Sequence, residues 1–324
     1  MLVIYFVYVE QFHLCGIIRW ISMAGEKVAV LDHGKSNVKL FVCSAFGNIL
    51  DNRSTPNISL DGANWQYTCL ERLNEWVFST LAELSQVHSI GSIIISAHGS
   101  AGVLVGNRNE VLGDGALTPM IDYEQQLPAD IASAYENIKG SYLDRGSVMM
   151  MGASHVARQL FWMETIMPKV VQRARWFLCL PQYWAWRLSG VATSEFTILG
   201  AQSHLWNVPK SCWTRIVRDR NWERLLPPIA SADTVLGLIR PELAKQYSLP
   251  LDIKVRTGLH DSSANFYSYK LLNLEDFCVI STGTWTVAMA EGLDPSILRE
   301  PLGMTCNSDP YGKPICGALT MAGR

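Results

Sequence analysis

The stretch VAVLDHGKSNVKLFVCSAFGNIL at 28–50 most constrains the fold, because an apolar run ends in an acid and a short polar turn before a second apolar run begins. Residues 28–31 and 38–43 carry apolar and β-branched side chains, so the spacing predicts a β-hairpin. Gly34, Lys35, Ser36 and Asn37 form its turn, where backbone N–H groups can face an anion. Asp32 stands at the end of the first strand, placed to hold a hydrated Mg2+, an ion bound by few carboxylates. A Walker A loop would need a glycine at position 29, which is Ala29 inside the strand, so any phosphate contact must come from the hairpin turn itself. An ordinary surface hairpin with a chance acid is the plain alternative.

A second acid follows a glycine turn far down the chain, where a strand at 253–255 leads through Thr257-Gly258 to His260-Asp261 at the predicted start of a helix. General-base work needs a carboxylate held rigidly yet open to a cleft, and Asp261 is the candidate. Helix capping competes with that reading, since Asp is a favoured N-cap residue. Residues 278–289 then repeat the pattern of strand, small polar turn and strand, with Gly283 and Thr284 in the turn. Two such turns with a carboxylate between them can clamp the phosphates of a nucleotide while the base works on an acceptor hydroxyl.

These turns occur together with SAHG at 96–99, PMIDYE at 119–124, PQYWAWRLSG at 181–190, SEFTILGAQSHLWN at 194–207, GLHDSSAN at 258–265 and STGTW at 281–285. On these segments the chain, from about Lys27 to its end, resembles the FGGY carbohydrate kinases of the sugar kinase, Hsp70 and actin superfamily. The His before Asp261 puts the resemblance nearest the L-rhamnulose and L-fuculose kinase branch. It implies an α/β, actin-like, Hsp70-type ATPase (ribonuclease H-like) fold of two domains, the second incomplete, closing over a sugar and MgATP. It further implies Asp261 as the base and Asp32 as the residue positioning Mg2+. Phosphates would lie on the 34–37 turn and on Gly283 and Thr284, and His98, Asp122 and His260 would line the sugar pocket, with Tyr123 the alternative to Asp122. Lys35 departs from the small hydroxyl residue common in the family and either adds charge at the phosphates or faces solvent.

The remaining features bound the class. A net charge of −2 with 48% hydrophobic and 17% charged residues leaves no basic stripe for nucleic acid. The eight cysteines contain no C-x-x-C pair, so reduced thiols in the cytoplasm are expected, where the glycosylation-like triplets at Asn52 and Asn57 carry no meaning. His98-Gly99-Ser100-Ala101-Gly102 lacks the first glycine of a hydrolase elbow. Of the eleven tryptophans, several between Trp162 and Trp222 could stack on a sugar ring, yet aromatics in helix-like segments are more often core. Residues 1–22 are apolar but interrupted by Glu10, Gln11 and His13 and open on no basic segment, so they are expected to be a non-native extension and not a membrane anchor. Residues 23–249 are expected to form the sugar- and phosphate-binding domain and 250–324 the start of a truncated second domain. The rival to the kinase is a sugar-binding or regulatory fragment lacking the adenosine-binding segment; homodimerisation is left open.

Overall fold

The computed structural model describes residues 3–6, 26–107, 113–272, 274, 277–282 and 286–320. The predicted hairpin is present as β1 (Lys27–His33) and β2 (Asn37–Cys43), with Val28 opposite Cys43 and His33 opposite Val38. β3 (Ile49–Pro56) extends the meander as an edge strand, whose exposed Asn52, Arg53 and Ser54 discourage further pairing. On the other side of β1 lies β4 (Ile90–Ala97), in parallel. Beyond it come β5 (Val235–Leu238) at the far edge and β6 (Lys254–Arg256), giving the order β3-β2-β1-β4-β6-β5. The two-residue strand β7 (Leu259–His260) pairs in parallel with the last two residues of β4.

β1 and β4 are buried on both faces, which is why they read as nearly continuous apolar runs. One face packs on α1 (Leu70–Val87), α2 (Leu180–Ser189) and α3 (Pro241–Tyr247). In α1 the buried Leu70, Leu73, Val77, Phe78, Leu81 and Leu84 recur every three or four residues, making one apolar stripe. Each such side chain contributes roughly 1.5–3 kcal/mol by leaving water. α2 is buried at every position, so it shows no polar face, and it stops at Gly190 with φ of +78°. The other face receives α4 (Asp261–Lys270) through Ala264. A second core under helices Ala129–Ile138 and Val156–Ile166 takes up Trp65, Trp162, Trp206 and Trp222, in keeping with the reading of tryptophans as core.

The second sheet contains β8 (Phe277–Thr282), β9 (Thr286–Ala290), β10 (Met304–Ser308) and β11 (Pro314–Thr320), antiparallel in the order β8-β9-β11-β10. The strand Val3–Phe6 lies parallel to β8 at its edge. Phe266 and Tyr269 of α4 pack against Phe277, Val279, Met289 and Ile315, so this one helix touches both sheets. Gly283 and Thr284 lie outside the described residues.

Candidate active site

Three parallel strands, β1, β4 and β7, end together, with Asp32 and Leu259 both beside Ser96, and His33 and His260 both beside Ala97. The carboxyl ends of parallel strands are where open α/β sheets place ligands. Asp32 is half-buried there, and the next residue, His33, is fully buried. Trp184 anchors it, donating its indole N–H to His33 Nδ1 at 2.9 Å. Burial, reinforced by neighbouring His98, holds His33 well below the usual imidazole range, so it is a neutral spacer behind Asp32.

The 34–37 turn is braced from within and from behind. Gly34 N–H donates to the Asn37 carbonyl at 3.0 Å, while Asn57 donates its backbone N–H to the Ser36 carbonyl at 2.9 Å and its side-chain amide to the Gly34 carbonyl at 3.0 Å. Lys35 reaches across to Asp122, its ammonium 2.6 and 2.5 Å from the two carboxylate oxygens and 5.4 Å from the Tyr123 ring centroid. Asp122 also accepts from the Ser59 hydroxyl and, at 3.0 Å, from Glu124 N–H. Burial pushes the Asp122 carboxyl up, but the hydrogen bonds from Lys35 and Ser59 outweigh it and leave the group below the usual range. The Lys35 ammonium is thus held in an ion pair with the residue expected in the sugar pocket.

His98 lies beside this pair, its ring centroid 5.2 Å from that of Tyr123. Burial lowers it to about 4; Asp261 and Asp122 work against that shift, and Lys35 and His260 work with it. Those four charged or titratable groups therefore converge electrostatically on one neutral imidazole.

Asp261 is delivered by a turn that admits only glycine. Gly258 has φ of +80°, and a Cβ there would sit 2.6 Å from the Ile95 carbonyl oxygen of β4. From the other side, Gln182 of α2 donates to the Thr257 and Gly258 carbonyls at 3.3 Å. His260, not Asp261, is the N-cap residue, and Asp261 is the first residue of α4. Asp261 Oδ1 accepts from Ser262 N–H at 2.5 Å and lies 3.1 Å from His260 Nε2, while 30% of the Asp261 side chain remains exposed. His260 Nδ1 is 3.0 Å from the Ser263 hydroxyl, and burial, opposed by Asp261, keeps the ring neutral.

The structure thus brings Lys35, His98, Asp122, His260 and Asp261 into one neighbourhood, with Asp32 on the adjoining strand end. Trp184, Ser59 and Gln182 escaped the sequence reading. Each acts through a hydrogen bond to a segment remote in sequence, and no local spacing signals such a bond.

A parallel-centred sheet flanked by a meander, with acids at the end of its first strand and at the head of a helix leading to a second sheet, defines the actin-like ATPase class. The chain belongs to the FGGY family of carbohydrate kinases, matching the family's N-terminal domain over residues 28–266 and the carbohydrate kinase FGGY C-terminal domain over 274–324. It is 25% identical over 298 residues to the L-fuculokinase of Escherichia coli (strain K12), covering 89% of this chain and 61% of that one. A carbohydrate kinase from Novosphingobium aromaticivorans superposes with a TM-score of 0.85 at 28% identity, over 93% of this chain and 64% of the other. Xylulose kinase from Lactobacillus acidophilus shares the fold, with a TM-score of 0.70 at 19% identity over 90% of this chain and 59% of the other. The chain therefore spans about three-fifths of the length of these relatives. Among the described residues no helix is long and apolar enough to cross a membrane.

Proposed function

We propose that the chain carries the sugar- and phosphate-binding machinery of an ATP-dependent kinase that transfers the γ-phosphoryl group of MgATP to a ketose hydroxyl. The Asp261–His260 pair, set at the same strand ends as Asp32, is the observation that carries this reading. Asp261 takes the proton of the acceptor hydroxyl. His260 Nε2 lies 3.1 Å from the Asp261 oxygen, close enough for the ring and the carboxylate to interact electrostatically. His98, His260 and Asp122 orient the sugar, and Lys35 offsets the Asp122 charge while its backbone joins Gly34, Ser36 and Asn37 in holding phosphate, as do Gly283 and Thr284. Among the described residues no group of three or more His, Cys, Asp or Glu is placed to hold a metal. One half-buried carboxylate nevertheless suits Mg2+, which keeps waters and shares its coordination with phosphates, so Asp32 would hold it. When bound, the ion neutralises phosphate charge; the chain supplies positioning, which dominates phosphoryl transfer. A ketose matches the relatives named L-fuculokinase and xylulose kinase. The reading places residues 23–249 in the sugar- and phosphate-binding domain and 250–324 in the second, in a cytoplasmic enzyme, with homodimerisation open.

The test is ADP release from MgATP against L-fuculose, L-rhamnulose and xylulose, with calorimetry of each ligand alone. Sugar-dependent release that is lost in Asp261→Asn is the expected result. Sugar binding without nucleotide binding would identify a sugar-binding protein instead, and absence of both would sink the reading.

A further inference from the structure

Behind the candidate base lies a buried carboxylate that the mechanism does not use. Glu195 is fully buried, and its oxygens accept from Thr197 N–H at 2.9 Å, the Thr197 hydroxyl at 2.7 Å and Ile198 N–H at 3.0 Å. Thr197, also fully buried, accepts in turn from the backbone N–H of His260 at 2.9 Å. That amide belongs to the N-cap residue of α4, one residue before Asp261.

A threonine hydroxyl alone can rotate. With its proton directed to Glu195, its lone pairs face the His260 amide, a donor that a helix start leaves without an intrahelical partner. The same segment supports the other side of the pocket, because Gly99, next to His98, is so close that a Cβ there would fall 2.8 Å from Ala201 Cβ and 3.3 Å from His260 Cδ2. Glutamate is also not a preferred N-cap residue; Asn, Asp, Ser and Thr lead. Glu195 nonetheless caps the helix Phe196–Gly200, and burial pushes it up to about 8 against the pull of its Thr197 and Ile198 hydrogen bonds. A shorter cap would satisfy this helix end at less desolvation cost, and the length of Glu195 lets it reach the Thr197 hydroxyl as well as two amides.

We infer that Glu195 and Thr197 are positioning residues that fix the start of the base helix, through the His260 backbone, and so set the reach of Asp261 toward the acceptor hydroxyl. This rests on the kinase reading for its catalytic consequence but not for its structural one, and two readouts separate them. The first is hydrogen–deuterium exchange of the 257–266 segment, which needs no substrate. Thr197→Val keeps the shape of the side chain and removes the hydroxyl; exchange there should rise about tenfold, the equivalent of one lost hydrogen bond, with β1 and β4 unchanged. Thr197→Ser should restore the wild-type rate. The second readout is turnover: kcat should fall about 10- to 100-fold in Thr197→Val with the sugar KM nearly constant, and recover in Thr197→Ser. Equal exchange in the Val and Ser variants, or a rise spread evenly over β1 and β4, overturns the relay. If Thr197→Val does not fold, Glu195→Gln takes its place, raising exchange at 257–266 if the relay holds and leaving it unchanged if not. Wild-type protein without sugar-dependent ADP release would remove the kinase reading, and the exchange comparison would still decide the relay.

Discussion

At the residue scale, the chemistry of His260 follows from its neutrality. The Ser263 hydroxyl is 3.0 Å from its Nδ1 and the Asp261 carboxylate 3.1 Å from its Nε2, so the ring sits between a hydrogen-bond partner and a charge. Replacing Asp261 by Asn keeps the shape and removes the proposed base, so kcat should fall about 10²- to 10⁴-fold while calorimetry still detects sugar. Retained turnover would transfer the base role elsewhere. Lys35 offers a sharper distinction. Its ammonium is bound to Asp122, so Lys35→Met should raise the sugar KM about 10- to 100-fold, the cost of one charge-assisted contact, and change the ATP KM far less. The opposite ranking in steady-state kinetics would assign that ammonium to the phosphates.

At the scale of elements, local signals were sufficient where the periodicity was strong. The hairpin expected at 28–31 and 38–43 is found as β1 and β2, the strand at 253–255 as Lys254–Arg256, and the helix starting near Asp261 as α4. Between the helices Val156–Ile166 and Leu180–Ser189 lies the short apolar strand Trp176–Cys179, which pairs with Gly102–Val105. Short apolar runs do not separate strand from helix by periodicity, and a distant partner decided this one. Capping was similarly ambiguous, because Asp is favoured both as N-cap and in the first turn, and the backbone alone shows that His260 takes the cap. The Gly258 turn makes a stability test of this junction. Gly258→Ala forces a positive φ on a residue with a Cβ and presses that atom on β4, so urea unfolding should show a loss above about 1 kcal/mol. An unchanged midpoint would mean that the β4 contact yields without cost.

For the whole molecule, buried histidines govern the response to acid. His33, His98, His155, His204 and His260 are all held below 6.5, chiefly by burial, His98 to about 4 and His155 to about 3. Below about pH 6.5 the unfolded chain therefore binds more protons than the folded one, and stability falls as pH drops. Glu195 acts in the opposite sense. Its raised value makes the folded chain hold a proton that the unfolded chain has released between about pH 4.5 and 8, so its contribution declines as pH rises through that window. Five histidines against one glutamate set the sign below pH 6.5, and the urea midpoint should be highest near about pH 6.5 to 7 and drop toward pH 5. A flat midpoint across that range would contradict the burial of these imidazoles.

The helix α4 has one end at the candidate site and its body in the core of the other sheet, where Lys270 in its last turn is also tied to Glu291 at 2.8 Å. A ten-residue helix is a lever about 15 Å long, so a swing of about 5° about its far end carries its first residue through about 1 Å. Displacements of that size cost catalysis about a hundredfold. If Asp261 is the base proposed above, its reach is thus geared to the attitude of the second sheet.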